Sequence, residues 1–417
     1  MNTSAKDNGM KLKVAIYDPA KNYVSWHQEL TVAGYEWDVL RFTTMQNLMD
    51  ELKERRFDIV IVACSMSLGA KDELDLMSRI ASEQPSAIRV FFGADFWNAA
   101  NRAKASEQAH RAFGSYDKPA DIAEELEYVI KITRLLNRSA LQDYVSNIGC
   151  LPTPPAMYQK LTSAINSDVT GLDEISEIVE QDPAVVAQIM KQVNSAFFGI
   201  GRTISSLRDA VSMLGIRNIR SIALSSQLSS QFEEGAGWDK FSFESMNQRA
   251  LVVARLAQAI SRRAGASKYV QEQAFLAGLL HDLGVLIMAS HDPEQYSKLI
   301  TYSVKKQKPI YLVEKAAYGF FHGEVAASLL TLWNLSPHVV EAVMLHHVPH
   351  LSVSKEFSAL TAVHIADAML PSISVMGECD LSSSLSIKYI DQVGVMEEVS
   401  NWRNLANEYS ERMVSNL

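Results

Sequence analysis

The chain has few of the features that mark secreted or membrane proteins. Its 417 residues include only three cysteines, Cys64, Cys150 and Cys379, in no spacing typical of a metal-binding or redox-active pair. This scarcity excludes a disulfide framework and is typical of a reducing compartment. The first ten residues lack the apolar core of a signal peptide, and no apolar run reaches the length of a bilayer-spanning helix. We therefore expect a cytoplasmic protein without membrane contact.

Positive charge is also scarce. Lysine and arginine total 39 against 48 acidic residues, so the formal net charge is -9. Because nucleic-acid binding depends on a basic surface that contacts phosphates, we expect no direct nucleic-acid partner. The hydrophobic share of 47% is ordinary for a folded chain, and the length suggests two or three domains.

The N-terminal third alternates between short apolar runs and helical patterns. Residues 58–63 (DIVIVA) form the clearest strand, because consecutive β-branched and apolar positions indicate burial on both faces, as in a parallel sheet. Weaker runs of the same kind lie at residues 14–17, 39–40, 89–92 and 112–113. Five strand–helix units predict a doubly wound α/β sheet.

Residues 11–137 resemble the receiver domain of response regulators, a flavodoxin-like fold. The resemblance depends on the strand order and on Lys118, which with the proline after it looks like the Lys-Pro pair at the end of the receiver's last strand. Where the receiver carries its phosphoacceptor aspartate, this chain has Ala63, and where the receiver has paired acids, only Asp18 remains. The resemblance therefore implies a degenerate domain that cannot be phosphorylated, with too few carboxylates for magnesium.

Two of these residues have ordinary alternatives. Asp18 is interpreted first as a helix N-cap or loop residue, and Lys118 as a solvated or salt-bridged remnant. Residues 120–146 carry an apolar stripe that predicts one long amphipathic helix. This helix is either the last helix of the sheet domain or a coiled-coil dimer seam, and residues 138–150 are assigned as a helical linker.

From residue 151 onward, strand patterns give way to helix start signals. Asp182 precedes a proline, which is typical of an N-cap followed by the first helical position. Residues 206–209 (SLRD) resemble a capping box, and Gly215 stands where a helix should end. The pattern predicts an all-α bundle of short helices.

Several motifs in this region resemble the HDOD domain, a relative of the HD phosphohydrolases. They are residues 151–155 (LPTPP), 180–183 (EQDP), 193–199 (VNSAFFG), 204–210 (ISSLRDA), 214–215 (LG) and 278–284 (GLLHDLG). The resemblance covers residues 151–370 and implies an HD-like helical fold, with residues 371–417 as a C-terminal helical extension. It also implies a bacterial signalling protein whose HDOD domain is a non-catalytic interaction module, often joined to a receiver.

Imidazoles and carboxylates of the kind that bind zinc, manganese or iron are spread through the second domain. In catalytic HD relatives the corresponding places supply metal ligands, and the resemblance implies that the side chains converge. His281 and Asp282 are adjacent within a stretch predicted as one helix, Phe275 to Met288. The set is His281, Asp282, His322, His346, His347 and Asp367.

One position departs from the catalytic pattern. Arg249 aligns with the first ligand histidine of the catalytic relatives, and a guanidinium cannot bind a metal. In the site it would repel a cation and could pair with Asp282 or Asp367. The first interpretation is therefore a hydrogen-bonded network without cofactor or catalysis, and a weakly bound divalent metal is the alternative.

Three functions remain open on the sequence. The first is a non-catalytic signalling adaptor that binds other signalling proteins and could form a homodimer. The second is a metal-dependent phosphohydrolase acting on nucleotides or cyclic dinucleotides. The third is a sensor that binds a nucleotide second messenger without cleaving it.

Overall fold

The structure is a computed structural model. It describes residues 11–21, 26–64, 70–93, 101, 104–105, 108–148, 155–165, 171–194, 204–229, 232, 243–333, 335–352, 354–370 and 381–414. The chain divides into two compact units, Met1–Arg134 and Leu135–Leu417. Each unit has its own architecture.

The first unit contains a five-stranded parallel sheet with the order β2-β1-β3-β4-β5. Its strands are β1 Lys13–Tyr17, β2 Asp38–Phe42, β3 Ile59–Ala63, β4 Ile88–Phe92 and β5 Arg111–Phe113. Every residue of β3 is buried, as its unbroken apolar run predicts. The predicted parallel α/β sheet is confirmed.

Helices cover both faces of this sheet. They are α1 Trp26–Val32, α2 Met45–Glu54, α3 Ala70–Glu83 and α4 Pro119–Leu136. Side chains of α2 and α3 pack in one hydrophobic core, and those of α1 and α4 pack in another. The alternating side chains of β1 and β3 contribute to both cores, which explains why these strands have no polar face.

The long helix predicted over residues 120–146 is two helices, which corrects the sequence interpretation. Helix α4 ends at Leu136, Arg138 is extended with φ -121° and ψ 131°, and α5 follows over Ser139–Asn147. The apolar stripe, including Ile122 and Leu126, is buried against the sheet. It therefore forms the last helix of the sheet domain and is not free to act as a dimer seam.

The second unit is built from helices. Continuing from α5 they are α6 Ala156–Ile165, α7 Leu172–Glu180, α8 Pro183–Val193, α9 Leu207–Leu214, α10 Ile216–Ser229, α11 Phe243–Arg263, α12 Lys268–Leu280, α13 Leu283–His291, α14 Pro293–Lys306, α15 Ile310–Tyr318, α16 His322–Leu332, α17 Pro337–Leu345, α18 Ala359–Met369, α19 Ile387–Val393 and α20 Val399–Val414.

Several predicted helix ends match the structure. The Asp182 side chain accepts hydrogen bonds from the first turn of α8, and Ser206 caps α9 by accepting from the Asp209 backbone N–H. Gly215 ends α9 with φ 82°, in the region that favours glycine. Most of the VNSAFFG motif, residues 195–199, lies outside the described residues.

The helix predicted from Phe275 to Met288 is broken in the structure. Helix α12 ends at Leu280 and α13 begins at Leu283, so His281 and Asp282 form the turn between them. Taken as one stretch, Lys268–His291 is long and apolar enough to cross a membrane, contrary to the sequence expectation. However, 89% of its most apolar window is buried inside the protein, as in the core helix of a soluble domain.

Candidate metal centre

The turn between α12 and α13 is held in place by close backbone packing. A Cβ on Gly278 would lie 2.5 Å from the Ala254 Cα of α11, and one on Gly284 would lie 1.9 Å from the His322 carbonyl oxygen. Only glycine allows α12 to lie so close to α11, and α13 so close to α16. The two glycines of the GLLHDLG motif thus place His281 and Asp282 in the interior.

The structure brings the six predicted side chains together around this turn. His322 is the first residue of α16, His346 and His347 follow the end of α17, and Asp367 lies in α18. All six are buried, with at most 5% of their surface exposed. They fall into two groups, which share Asp282.

The first group has the geometry of a metal-binding set. Ligand atoms of Asp282, His322, His346 and His347 all lie within 4.8 Å of one another. Asp282 Oδ1 is 3.4 Å from His322 Nε2 and 3.8 Å from His346 Nε2. His322 Nε2 and His347 Nε2 are 3.0 Å apart. One ion could therefore contact three imidazole nitrogens and one carboxylate oxygen.

The outer nitrogen of each imidazole in this group has a partner of its own. Nδ1 of His346 lies 2.7 Å from the Val343 carbonyl oxygen, and Nδ1 of His322 lies 2.7 Å from Glu314 Oε2. Nδ1 of His347 is 2.8 Å from Ser383 Oγ. When Nδ1–H donates outward, the lone pair of Nε2 faces the centre, which is the arrangement of metal-binding histidines.

The unpaired atoms of the cluster provide a test of whether a metal fits. Asp282 Oδ1 and His346 Nε2 are buried and have no hydrogen-bond partner among the described residues. Buried polar atoms are rarely left unpaired, and a divalent cation would satisfy both. A set of three imidazoles and one carboxylate suits zinc, manganese or iron, so these residues fit such an ion.

The second group contains a side-chain cation. Arg249 of α11 is 1% exposed, and its Nη2 donates to Asp367 Oδ1. The other oxygen of Asp367 accepts from the Ser383 backbone N–H at 2.7 Å. His281 Nε2 lies 3.1 Å from Asp282 Oδ2 and 3.6 Å from Asp367 Oδ1. Arg249 thus neutralises Asp367, and Asp367 stands apart from the four-residue set.

These contacts shift the pKa values of the histidines in the site. Burial disfavours charge on His322, yet the Glu314 carboxylate raises the pKa of His322 to about 10. His281 is likewise buried, but Asp282 raises its pKa to about 9. Burial, together with the charge of His281, lowers the pKa of His346 to about 3. Metal binding at neutral pH would therefore displace a proton from His322, while His346 is already neutral.

Asp282 and Asp367 are held ionised by their cationic neighbours. Burial opposes their charge, but His281 keeps the pKa of Asp282 well below its usual range. Burial also opposes charge on Asp367, and the Arg249 guanidinium lowers the pKa of Asp367 despite it. Both carboxylates are therefore charged at neutral pH.

The sequence interpretation missed several residues of the site. Glu314 is fully buried and accepts hydrogen bonds from the His322 backbone N–H at 3.0 Å and from the Tyr296 hydroxyl at 2.5 Å. Ser383 and the core histidine His364 also contact the ligand-bearing segments. No motif marks these residues, because they reach the site from separate elements that meet only in the folded domain.

A small cavity borders one member of the metal-binding set, Asp282. It has a volume of about 320 Å³, which includes space open to solvent. Asp282 forms part of its wall, and Ser225 and Asn247 are its other polar residues. Its remaining lining is apolar and comes from helices α10 to α13: Leu228, Met246, Ala250, Leu279, Leu280, Leu283 and Leu286.

In the first unit, two of the three residues singled out by the receiver resemblance occupy the expected strand ends, whereas Lys118 lies five residues beyond the end of β5. Ala63 is the last residue of β3, and Asp18 follows the adjacent strand β1. Asp18 is 1% exposed and lies well before α1, so it is a buried loop residue and not the N-cap of that helix. Lys118 is exposed, immediately before α4.

The fold and this site define an HD-like helical domain with a centre that could hold a metal. The family model of the HDOD domain matches residues 151–349. The chain therefore contains an HDOD domain, as the sequence motifs predict. This match ends before Asp367 and Ser383.

Individual relatives agree with this assignment at the level of the fold. A crystal structure of an HDOD domain protein with unknown function from Geobacter sulfurreducens is 21% identical and covers 66% of this chain and 94% of its own, with a TM-score of 0.54. A candidate signal transduction protein from Marinobacter aquaeolei VT8 is 17% identical and covers 86% of this chain and 78% of its own, with a TM-score of 0.51.

A sequence relative exists in Treponema pallidum. This uncharacterized protein is 25% identical over 235 residues, or 55% of this chain. The match spans only 43% of that relative's length.

Proposed function

We propose that this protein is a bacterial cytoplasmic signalling adaptor whose HDOD domain holds one divalent metal in a closed, non-hydrolytic site. The observation that carries the proposal is the buried ion pair between Arg249 and Asp367. It removes Asp367 from metal binding and places a permanent positive charge beside the remaining ligands. The output of the domain is then binding to other signalling proteins.

The ligand set itself favours a structural role. Four protein ligands close the coordination of a structural zinc site, whereas catalytic sites keep a position open for water or substrate. Asp282, His322, His346 and His347 supply four ligand atoms, and all four residues are buried. A metal bound there would link the α12–α13 turn to the ends of α16 and α17, and so would stabilise the packing of this half of the bundle.

The charge balance opposes hydrolysis for a second reason. Metal-dependent hydrolysis requires a metal-bound water, and two-metal enzymes place a second ion beside the first. Asp282 Oδ2 and His281 could face such an ion. The guanidinium of Arg249, however, belongs to the same second group, where it is paired with Asp367. Repulsion between the guanidinium and a cation would keep the second ion away.

The first unit supports an adaptor role. Its strand order 2-1-3-4-5 is the order of flavodoxin-like sheets, to which receivers belong. With Ala63 at the end of β3, no carboxylate is available at that position to accept a phosphoryl group. We infer a receiver-like domain that transmits its signal through surface contacts, with a homodimer or another signalling protein as its partner.

One observation favours a second candidate function. The cavity that reaches Asp282 could admit part of a small ligand to the metal. A metal-dependent phosphohydrolase would use that route for substrate, and a nucleotide sensor would use it for binding alone. Its lining is mainly apolar, has no lysine or arginine and includes the carboxylate of Asp282, so it offers no cationic partner for the two phosphates of a cyclic dinucleotide.

The decisive experiment measures metal and turnover on the same preparation. The full-length protein, loaded with zinc, manganese or iron, is expected to bind about one ion and to hydrolyse neither nucleoside phosphates nor cyclic dinucleotides. Asp282→Ala should abolish metal binding. Metal-dependent turnover that Asp282→Ala removes would refute the adaptor and establish the enzyme. Ligand-induced thermal stabilisation without turnover would instead identify a sensor.

A further inference from the structure

A segment outside the matched part of the HDOD domain closes the metal-binding set. Residues 381–386 precede α19 and lie beyond residue 349, where the match ends. Leu381 is 1% exposed and Ser383 is 6% exposed, so this short segment, hereafter the strap, is packed into the domain. It has no regular secondary structure, and its polar groups bond to the site.

Ser383 makes three of these bonds. Its backbone N–H donates to Asp367 Oδ2 at 2.7 Å. Its hydroxyl lies 3.1 Å from the His346 carbonyl oxygen and 2.8 Å from His347 Nδ1. A carbonyl oxygen can only accept, so both contacts are hydrogen bonds at once only when the hydroxyl donates its one proton to the His346 carbonyl and accepts from the imidazole. In that arrangement the proton of His347 is on Nδ1.

A second contact of the strap holds the backbone at His346 in place through His364. The Ser386 backbone N–H donates to His364 Nε2 at 2.9 Å, which leaves the proton of His364 on Nδ1. That Nδ1–H donates to the His346 carbonyl oxygen at 2.6 Å. The His346 carbonyl thus receives bonds from both Ser383 and His364, and the backbone between His346 and His347 is held from two sides.

We propose that Ser383 is a positioning residue for the metal ligand His347, and that the strap completes the metal centre of this domain. The proposal rests on the proposed metal site. Through Nδ1, Ser383 orients the imidazole and leaves the lone pair of Nε2 facing Asp282 and His322. Its backbone N–H acts on the second group as well, because it holds Asp367 in place for Arg249.

Removing the hydroxyl should have two consequences. The buried His347 Nδ1–H would lose its acceptor, so the proton could move to Nε2 and remove the lone pair that a metal needs. Loss of such a partner to a metal-binding histidine commonly weakens metal binding by about 10- to 100-fold. Ser386→Ala is a matched control, because it makes the same chemical change in the same strap while Ser386 contacts His364 through its backbone.

The test compares the wild type, Ser383→Ala, Ser383→Thr and Ser386→Ala as full-length proteins. Zinc affinity is measured by competition with a chelator, and the His347 tautomer is measured by ¹⁵N NMR of the metal-free protein, assigned with a His347→Gln variant. We expect Ser383→Ala to bind zinc about 10- to 100-fold more weakly. Ser383→Thr should recover most of the affinity, and Ser386→Ala should match the wild type.

The two readouts separate this proposal from the proposed function. If the wild type binds no zinc, the proposed metal site is refuted. The role of Ser383 is then tested by the His347 tautomer alone: an Nδ1–H that is present in the wild type and absent in Ser383→Ala supports positioning. Wild-type zinc affinity in Ser383→Ala, or an Nε2–H tautomer in the wild type, would overturn the role of Ser383. Equal weakening in Ser383→Ala and Ser386→Ala would show a general loosening of the strap and would also overturn it.

Discussion

Arg249 is the residue that most changes what this site can do. Its guanidinium is a permanent cation fixed to α11, and it is buried against Asp367. Breaking a buried ion pair by removing one partner is costly, because the remaining charge stays in a medium of low polarity. The pair therefore couples the chemistry of the site to the stability of the helical domain.

Replacing Arg249 with methionine should destabilise the helical unit by about 3–5 kcal/mol, because the Asp367 carboxylate loses its counter-charge. Adding Asp367→Asn should recover most of that loss, since the amide is neutral and its oxygen can still accept from the Ser383 N–H. Chemical denaturation of both variants without metal measures the difference. A free energy of unfolding for Arg249→Met within about 1 kcal/mol of the wild type would contradict a strong ion pair between Arg249 and Asp367.

His110 predicts a pH dependence in the first unit. Its Nδ1 accepts a hydrogen bond from the Arg89 backbone N–H at 2.9 Å. Burial, with the charges of Arg89 and Arg111, lowers the pKa of His110 to about 4. Since the ordinary value is near 6.5, the unfolded chain binds a proton first as the pH falls. The contribution of His110 is therefore complete above pH 6.5 and is lost between about pH 6.5 and 4.

Thermal unfolding of the full-length protein should show the first unit losing about 1–2 kcal/mol over that range, a value reduced for partial solvent screening. His110→Gln keeps an acceptor for the Arg89 N–H but cannot titrate, so its unfolding should depend less on pH. The same pH dependence in both proteins would assign the effect to other groups.

At the scale of elements, the break between α12 and α13 creates the site. An unbroken helix would point His281 and Asp282 about 100° apart, whereas the turn lets Asp282 face both groups of side chains. The position of α13 after the break depends on Gly284, which lies directly against the backbone of His322. Helix packing and ligand placement are thus decided by the same contact.

Gly284→Ala should therefore damage folding and metal binding together. The new Cβ would lie 1.9 Å from the His322 carbonyl oxygen, so α13 or α16 must shift. We expect a loss of about 3 kcal/mol in stability, as for overpacked cores, together with weaker zinc binding. Gly171→Ala is the control: a Cβ there meets nothing within 4 Å, and the loss should stay below about 1 kcal/mol. Equal effects of the two substitutions would refute the close-packing argument.

At the scale of the whole molecule, the chain combines a sheet unit with a helical unit of about twice its length. The first has Ala63 at the strand end where a receiver would carry its acceptor. The second has Arg249 where a catalytic relative would carry a ligand. By these two resemblances, each position lacks the reactive group of the related family, and each unit has its own buried core. This pattern is the reason for the proposal that the protein works through binding.

Phosphorylation provides a direct test of the first unit. Incubation with a small phosphodonor and magnesium should add no phosphate, because an alanine cannot form an acyl phosphate. Intact-mass measurement checks this, with an active receiver as the positive control. A stoichiometric adduct that maps to residues 11–137 would show that another carboxylate accepts the phosphoryl group and that the assignment of Ala63 is wrong.

The sequence by itself determined the local features of this protein. Unbroken apolar runs such as β3 specify buried parallel strands, and Asp182, Ser206 and Gly215 specify helix ends, because these signals act over a few neighbouring residues. Family motifs also indicated the HDOD domain and most of the polar residues that meet in its interior.

Only the tertiary structure decided how those residues are arranged. Contacts between distant segments break the helix at His281 and pair Arg249 with Asp367. They also bring Glu314 and Ser383 into hydrogen-bonding distance of the site histidines. Such contacts are set by the packing of whole helices, through close approaches such as that of Gly284 to His322, and no local pattern encodes them. The division of the cluster into a metal-compatible set and an arginine-neutralised pair follows from that packing.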